Sequence, residues 1–204
     1  MPGLRDRLRQ ARALAREARH LRALPRPVAR FYLRAWWTAI RTRDAYTLAI
    51  ATRPSDAVTL LGLAHGHTEA VELGTGTGWT TIALALADGR RRVVSYDPDV
   101  RTERERYLAL VDPGTRARLD LKPEPAQWAR PAPASVGFLF IDCEHDRGTT
   151  ADAFRTWEPA VVPGGTVGFH DYDHPLFPGV REAVDELGLA GDATGGVFVW
   201  HKPH

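Results

Sequence analysis

Three glycines at alternate positions, Gly74, Gly76 and Gly78, separate an apolar run at 69–73 from a second apolar run at 79–86. Glycine has no Cβ, so it accepts the positive φ angles of a sharp turn and lets the backbone come close to a ligand. Where such a turn opens a helix, the free amides of the helix N-terminus attract phosphates and similar groups. The sequence therefore predicts a strand–turn–helix unit that binds a nucleotide-like ligand.

The same alternation of short apolar runs with helix-like segments continues along the chain. Strands that alternate with helices indicate a parallel sheet covered on both faces. The predicted fold class is α/β, a Rossmann-like doubly wound and mostly parallel sheet, in which ligands bind beyond the carboxyl ends of the strands. The predicted strands are 69–73, 92–96, 118–121, 137–141, 166–169 and 197–201, and the predicted helices are 79–86, 102–110, 149–161 and 180–187.

An acidic residue, Asp97, ends the second predicted strand, 23 residues after Gly74. A carboxylate at this position can accept hydrogen bonds from both hydroxyls of a ribose. The glycine spacing differs from the G-x-G-x-x-G pattern of dinucleotide-binding folds, because the third glycine comes one residue early and Glu72 precedes the first by two residues. Two plainer interpretations are a tight strand–helix junction at the glycines and an ordinary turn at Asp97-Pro98.

Together, the glycine turn and the acid resemble the class I methyltransferases that use S-adenosylmethionine. In that family an E-x-G-x-G-x-G segment holds the amino-acid end of the cofactor, and the acid after the second strand holds its ribose. The residues that this resemblance assigns to S-adenosylmethionine binding are Glu72, Gly74, Thr75, Gly76, Gly78 and Asp97, with Asp142 at the end of the fourth strand.

Four downstream segments resemble one methyltransferase subfamily more closely, the one that includes macrocin-type sugar O-methyltransferases and cephalosporin-pathway relatives. Its typical pattern is I-D-G-D-H-S-Y, L-x-P-G-G, H-D and G-V-x-x-A-V. The corresponding segments here are 140–145, 157–165, 170–172 and 179–187, so that the resemblance covers about residues 69–189. It implies methyl transfer to a hydroxyl of a small molecule, a sugar or another natural-product intermediate.

The chain departs from that pattern beside the expected reacting centre. Cys143 stands where glycine is usual, Glu144 replaces an aspartate, and Asp146-Arg147 replaces Ser-Tyr. These changes affect the choice of acceptor and leave a non-catalytic binding or scaffold protein on the same fold as an alternative. An NAD-dependent oxidoreductase is a second alternative, which the glycine spacing disfavours.

Acidic residues and histidines follow the fourth and fifth predicted strands, where adjacent strand ends would bring them together. Carboxylates from Asp142 and Asp171 would suit Mg²⁺, and His170 beside them would also permit Mn²⁺ or another transition ion. Several members of the resembled subfamily bind a divalent cation through acids at the positions of Asp142 and Asp171. The cation and a base would help to remove the hydroxyl proton, and the catalytic candidates are Glu144, His145 and His170. The alternative is that these side chains are solvated loop charges.

The first part of the chain, residues 1–65, has no recognisable motif and is predicted to be a helical cap on a methyltransferase domain at 66–204. Its first 43 residues contain 12 arginines and two acids, a net charge of +10, whereas residues 44–204 carry a net charge of −8. Apolar residues, most of them alanine, recur at helical spacing between Leu4 and Leu21, which favours a packed cap or a homo-oligomer contact. An Arg-rich helix can instead bind an anionic membrane or nucleic acid, or act as a targeting presequence.

Composition limits the class of protein. At 204 residues the chain is about one domain long, and its 44% hydrophobic and 25% charged residues are typical of a globular protein. No apolar run reaches the roughly 20 residues that span a bilayer. Cys143 is the single cysteine, so it has no internal disulfide partner, and the start of the chain lacks the apolar core of a signal peptide. We therefore expect a cytoplasmic protein whose partner is a small-molecule methyl acceptor.

Overall fold

The computed structural model describes residues 12–204, which contain a seven-stranded sheet in the order β3-β2-β1-β4-β5-β7-β6. Strands β1 to β5 are parallel to one another, whereas β7 is antiparallel to β5 and β6 is antiparallel to β7. The predicted α/β, mostly parallel sheet is thus confirmed. The strands are β1 (Glu69–Leu73), β2 (Arg92–Tyr96), β3 (Leu119–Lys122), β4 (Val136–Ile141), β5 (Val161–Phe169), β6 (Asp192–Thr194) and β7 (Val197–His201).

Helices pack on both faces of this sheet. The α-helices are α1 (12–18), α2 (Arg26–Thr42), α3 (Ala45–Ile50), α4 (Pro54–Leu63), α5 (Trp79–Ala87), α6 (Glu103–Leu108), α7 (Pro113–Arg116), α8 (Arg147–Trp157) and α9 (Pro178–Glu186). Short 3₁₀ helices lie at Arg19–Ala23, Ala126–Trp128 and Glu158–Ala160. Among the described residues, no helix is both long and apolar enough to cross a membrane.

Alternating side chains of the central strands supply two separate cores, because successive residues of a strand point to opposite faces. On one face, Val71 and Leu139 pack with Phe154 of α8. On the other, Phe138 packs with Leu84 of α5. Both faces of the central strands are therefore covered, which explains why they are apolar almost throughout.

The strand order reverses at β1, which pairs with β2 on one side and with β4 on the other. Backbone hydrogen bonds continue past the strand ends: the Gly74 amide donates to the Tyr96 carbonyl at 2.8 Å, and the Asp142 amide donates to the Leu73 carbonyl at 2.8 Å. The amide of His170 likewise donates to the carbonyl of the last residue of β4 at 2.9 Å. The turns that follow these four strands are thereby brought together at one edge of the sheet, where ligands bind in folds of this kind.

The N-terminal helices share a hydrophobic core with the sheet domain. Trp79, at the start of α5, is in edge contact with Phe31 and Tyr32 of α2, with ring centroids 5.9 and 5.5 Å apart, and with Tyr107 of α6 at 5.3 Å. Tyr32 is fully buried, and its hydroxyl donates to the carbonyl of Thr52 at 3.0 Å. The aromatic residues of the cap thus attach it to the helix that follows the glycine turn.

Two predicted element boundaries differ from the structure by four or five residues, for local reasons, whereas the others differ by no more than two. Helix α8 ends at Trp157 rather than at Val161, because Pro159 has no amide to continue the helix. Strand β5 begins at Val161 and contains an irregularity, since Val136 pairs with Val161 while Phe138 pairs with Thr166. The intervening residues of β5 include Pro163, Gly164 and Gly165, which precede the predicted strand at 166–169.

Other elements were not predicted at all. No pattern in the sequence predicted α3, α4 or the short edge strand β6, and none indicated that β7 is antiparallel. Of the predicted first helix, residues 12–18 are α-helical and 19–23 form a 3₁₀ helix. The part of that prediction at residues 1–11 lies outside the described residues.

Candidate active site

A cleft with a cavity volume of about 900 Å³ opens at the carboxyl edge of the sheet. Its floor is made by the turns after β1, β2, β4 and β5, and one wall is made by α3, the start of α4 and the loop between them. This volume lies within the range of small-molecule and cofactor sites. The cap therefore contributes to the cleft as well as to the core.

The glycine turn lies against the end of β4. Gly74 has a φ of 106° and Gly78 a φ of 84°, both in the region that favours glycine. A Cβ on Gly74 would overlap the backbone carbonyl of Asp142. The turn after β1 can come this close to Asp142 only because residue 74 has no side chain.

Asp97 connects the glycine turn to the loop after β2. Its Oδ2 accepts from the Gly76 amide at 2.8 Å, and its Oδ1 accepts from the Asp99 amide at 2.8 Å. The buried guanidinium of Arg104 lies 3.3 Å from Asp97 Oδ2 and also donates to the Gly76 carbonyl at 3.0 Å. Arg104 thus holds the predicted ribose-binding acid and the predicted cofactor-binding turn in one network.

The other predicted cofactor-binding residues differ in their position relative to the cleft. Thr75 lines the cleft, whereas Gly78 caps the N-terminus of α5 and does not line it. Glu72 lies beneath the cleft floor with 1% of its surface exposed, where it accepts hydrogen bonds from Thr81 and, at 2.7 Å, from Ser95. Burial raises the pKa of Glu72 to about 8. Glu72 is therefore placed to support the turn rather than to contact a ligand in the cleft.

Thr77 is a cleft residue that the sequence prediction omitted. Its hydroxyl is buried and has no hydrogen-bond partner within residues 12–204. A buried hydroxyl without a partner is costly in a folded protein. A polar ligand bound over the turn would supply the missing partner, so the turn suits the polar amino-acid end of S-adenosylmethionine.

Two acids and two histidines form a compact cluster beside the turn, with one nitrogen or oxygen of each within 4.8 Å of the others: Asp142, His145, His170 and Asp171. The Oδ1 atom of Asp142 is 2.8 Å from His170 Nδ1 and 3.1 Å from His145 Nε2. The Oδ2 atom of Asp171 is 3.4 Å from His145 Nε2 and 3.7 Å from His170 Nδ1. The three predicted metal ligands, Asp142, His170 and Asp171, are thus brought together, and His145 joins them.

The charges of this cluster strongly affect one another. Burial alone would raise the pKa of Asp142, but the charges of His170 and His145 and their hydrogen bonds lower it to about 2. Burial alone would lower the pKa of His170, but the charge of Asp142 and its hydrogen bond raise it to about 9. The pKa of His145 is raised as well, by Asp142 and Asp171 against the effect of burial. The protonated histidines balance the acids, and a cation could take the place of their protons.

The donor set fits a divalent cation. Two carboxylates and two imidazoles suit Mn²⁺ or another transition ion better than Mg²⁺, which prefers oxygen ligands and bound water. The residues that could hold such an ion are Asp142, His145, His170 and Asp171.

The segment that carries the cluster has an unusual backbone. Glu144, His145 and Asp171 have φ values of 47°, 55° and 55°, a region that non-glycine residues rarely adopt. The ring of Phe177 stacks on His145 with centroids 4.5 Å apart and helps to fix it. Such strain at a cleft is a frequent feature of functional sites.

Two residues next to the cluster line the cleft but do not belong to the cluster. Glu144, one of the predicted catalytic residues, lines the cleft but is exposed and lies outside the cluster. Cys143 also lines the cleft, and burial raises the pKa of its thiol to about 12, so it is not a nucleophile near neutral pH.

Sequence reasoning missed three residues that the cap or the loops bring to the site. Asp56 of α4 lies with its Oδ2 4.0 Å from His170 Nε2. Tyr46 of α3 lines the cleft, and the guanidinium of Arg101 lies 4.4 Å from the centre of its ring. Nothing in the sequence near these positions forms a motif, because each acts through contacts with residues distant along the chain.

A family model described as a methyltransferase domain matches residues 71–172, which is half of the chain. No curated protein matches the sequence.

Several solved structures have a similar fold. A methyltransferase from Geobacter sulfurreducens is 23% identical, with a TM-score of 0.61, over 89% of this chain and 91% of that one. The O-methyltransferase TomG from Streptomyces achromogenes, solved with SAM and involved in tomaymycin synthesis, is 18% identical, with a TM-score of 0.62, over 87% and 90%. CalS11, a TDP-rhamnose 3′-O-methyltransferase of calicheamicin biosynthesis, is 15% identical, with a TM-score of 0.58, over 98% and 96%. At these identities the likeness establishes the fold.

Proposed function

This chain belongs to the methyltransferase-domain family and is an S-adenosylmethionine-dependent methyltransferase, and we propose that it methylates a hydroxyl group of a small molecule beside a divalent cation. The observation that carries the proposal is the contact between Gly74 and the backbone of Asp142. Through this contact the glycine turn lies directly beside the cluster of acids and histidines. Methyl donor and activated acceptor would meet there.

We assign the cofactor residues by the geometry of the turn. S-adenosylmethionine, when bound, supplies a methyl group attached to a positively charged sulfur. Thr75, Gly76 and Thr77 line the cleft and would hold the amino-acid end, and Asp97 would accept from the ribose hydroxyls. Arg104 keeps Asp97 and the turn in register through the hydrogen bonds described above.

Methyl transfer requires an in-line displacement at the methyl carbon. The acceptor oxygen forms a bond to that carbon, the carbon–sulfur bond breaks with its electron pair moving to sulfur, and the hydroxyl proton goes to a base. A divalent cation supplies positive charge that favours loss of this proton. Glu144 is the base that we propose, because its carboxylate lies on the cleft and outside the cluster, whereas His145 points into the cluster. Positioning of the acceptor contributes near-attack geometry.

The acceptor side of the cleft suits a molecule with several hydroxyl groups. Acidic side chains on that side can accept hydrogen bonds from them: Asp56, Asp142, Glu144 and Asp171. The activities of TomG and CalS11 are compatible with this idea, since both concern O-methylation in natural-product synthesis. We therefore propose a sugar or another hydroxylated natural-product intermediate as the acceptor.

The first test is calorimetric titration with S-adenosylhomocysteine, with and without Mn²⁺, Mg²⁺ or chelator, and with NAD as the control ligand. Turnover is then measured by mass spectrometry on a panel of nucleotide sugars and hydroxylated aglycones. Asp97→Asn should weaken S-adenosylhomocysteine binding, whereas Asp171→Asn should retain it and lose cation-stimulated turnover. The pair separates the cofactor site from the cation site.

Each alternative gives a different result. Full turnover in the presence of chelator would contradict the role of the cation but not the methyltransferase. Binding of S-adenosylhomocysteine without a methylated product would favour the non-catalytic scaffold. Binding of NAD in place of S-adenosylhomocysteine would contradict the cofactor assignment.

A further inference from the structure

Asp56 faces the His170 imidazole from the cap side of the cleft. Its Oδ2 lies 4.0 Å from His170 Nε2, whereas the other ring nitrogen, Nδ1, lies 2.8 Å from Asp142 Oδ1. The imidazole therefore lies between an acid of α4 and the acids at the ends of β4 and β5. The cap and the sheet domain meet at this side chain.

The protonation of Nε2 determines whether Nδ1 of His170 can bind a cation. A neutral imidazole has one N–H and one lone pair, so only the nitrogen without hydrogen can ligate a cation. Metal-binding histidines commonly donate the N–H of the other nitrogen to a carboxylate, which fixes the tautomer and the ring orientation. Nδ1 is the nitrogen that faces Asp142 and Asp171. Cation binding through Nδ1 therefore requires that the hydrogen of the neutral ring is on Nε2.

We propose that Asp56 is the positioning residue of His170: it accepts the Nε2 hydrogen and thereby directs the Nδ1 lone pair at the cation site. An approach of roughly 1 Å from the present distance would complete a hydrogen bond. Asp56 is suited to this, since Ser55 donates to its Oδ1 at 3.2 Å and leaves Oδ2 towards the ring. This inference rests on the proposed cation site and assigns the cap a part in it.

The test measures Mn²⁺ affinity by calorimetry and by the loss of the free-Mn²⁺ electron paramagnetic resonance signal. Asp56→Ala should lower the Mn²⁺ affinity about 10- to 100-fold, the usual effect of removing such a partner. The affinity of Asp56→Asn should lie between those of the parent and Asp56→Ala. Asp173→Asn is the matched control, because Asp173 lines the same cleft but pairs with Arg181. It should change the affinity less than threefold. All variants should bind S-adenosylhomocysteine like the parent, which confirms that they are folded.

A structural readout accompanies the affinity. With Zn²⁺ bound, long-range ¹H–¹⁵N spectra of the parent should show His170 protonated at Nε2, and Asp56→Ala should lose that single tautomer. Equal Mn²⁺ affinities for the parent and Asp56→Ala would overturn the role of Asp56 and leave the cation site standing. Absence of Mn²⁺ binding to the parent, with S-adenosylhomocysteine still bound, would overturn both the cation site and this inference.

A different observation concerns the outer surface of α2. Three large apolar side chains, Leu33, Trp37 and Ile40, are 55%, 68% and 53% exposed. They recur at helical spacing on the side of α2 opposite to its buried residues, which are Val28, Phe31, Tyr32, Ala35 and Ala39. Arg30 and Arg41 are exposed beside the stripe. We call Arg30, Leu33, Trp37, Ile40 and Arg41 the α2 face.

We infer that the α2 face docks on an anionic membrane surface. Residues 12–43, the segment that carries the α2 face, contain nine arginines and one acid, Glu17, so the charge of this segment is complementary to a negative surface. Two copies of the chain that met through this face would oppose arginines with few acids to pair them. The aliphatic Leu33 and Ile40 can enter the headgroup region together with Trp37, but they have no counterpart in nucleic acid phosphates.

The test is co-sedimentation with vesicles of phosphatidylglycerol and phosphatidylcholine, compared with phosphatidylcholine alone. We expect binding to the anionic vesicles only, reduced by salt, reduced at least tenfold in Trp37→Ser and about fivefold for each arginine changed to glutamine. Trp128→Ser is the control, since Trp128 is 74% exposed but lies outside the α2 face. Equal binding of the parent and Trp37→Ser would overturn the inference. So would a dimer that Trp37→Ser dissociates, or RNA binding with no vesicle binding.

Discussion

Gly74 and Asp142 are in direct backbone contact, so a side chain on Gly74 would occupy the position of the Asp142 carbonyl. The glycine turn therefore lies directly beside the cluster of acids and histidines that contains Asp142. Gly74→Ala would meet both this overlap and a φ of 106°, which an alanine adopts only with strain. We expect a loss of stability of about 3 kcal/mol or more, measured by urea unfolding, together with lost S-adenosylhomocysteine binding.

The matched control for this substitution is Gly62→Ala. Gly62 lies in α4, and a Cβ there would meet nothing within 4 Å. Since alanine is the better helix former, we expect unchanged or slightly higher stability. Equal stability of the two variants would contradict the importance of the Gly74–Asp142 contact.

Arg104 should contribute both to the stability of the fold and to S-adenosylhomocysteine binding. Its guanidinium is buried against Asp97, and removal of one partner of a buried pair leaves an uncompensated charge. We expect Arg104→Ala to cost about 3 kcal/mol of unfolding free energy and to weaken S-adenosylhomocysteine binding at least tenfold. Arg90, whose side chain is 83% exposed beside Asp88, is the control and should cost less than about 0.5 kcal/mol when changed to alanine. A small effect of both substitutions would show that the network does not order the turn.

Glu72 predicts a pH dependence of stability. Its pKa is raised from 4.5 to about 8 by burial, so between these values the native state holds a proton that the unfolded state has lost. Its contribution to stability is therefore present at low pH and is lost as the pH rises from about 4.5 to 8. Glu72→Gln removes this effect, so the stability of the parent relative to the variant should fall by on the order of 4 kcal/mol between pH 5 and pH 9. Parallel stability curves would contradict the raised pKa, and the exposed Glu69→Gln in the same strand serves as control.

The sequence was sufficient for the elements whose signals are local. β1, β2 and β7 occur at their predicted boundaries, because each is a short apolar or alternating run. The acids and histidines after β4 and β5 could be placed together because adjacent parallel strands end at the same edge. These inferences needed only periodicity and topology.

Residues that act across long sequence separations could not be found in this way. Asp56 and Arg104 carry no motif, and their roles depend on packing of α4 and α6 against the turns. Glu72 has the expected place in the motif, but only the structure shows that it is buried beneath the cleft. The burial of a polar side chain depends on the elements that cover it, and a local pattern does not contain that information.

Cation binding should depend on pH through His170. Its pKa is raised to about 9, chiefly by Asp142 against the effect of burial, so a proton competes with a cation for the imidazole near neutral pH. We expect Mn²⁺ affinity to rise between pH 6.5 and pH 8.5, by up to about tenfold per pH unit for each proton displaced. Calorimetry in buffers of different ionisation enthalpy would count the protons released. An affinity independent of pH, with no proton release, would contradict binding by His170.

Thr77 offers a test of the cofactor site that leaves the fold intact. Because its buried hydroxyl has no partner within residues 12–204, Thr77→Val should leave stability unchanged or raise it slightly. If the hydroxyl bonds to the cofactor, the same variant should weaken S-adenosylhomocysteine binding about tenfold. Thr150→Val is the matched control, since the Thr150 hydroxyl is also buried without a partner in the described part of the chain, but Thr150 lies in α8 and does not line the cleft. Reduced affinity in Thr77→Val alone would place the cofactor over the turn, whereas unchanged affinity in both variants would contradict a contact between Thr77 and the cofactor.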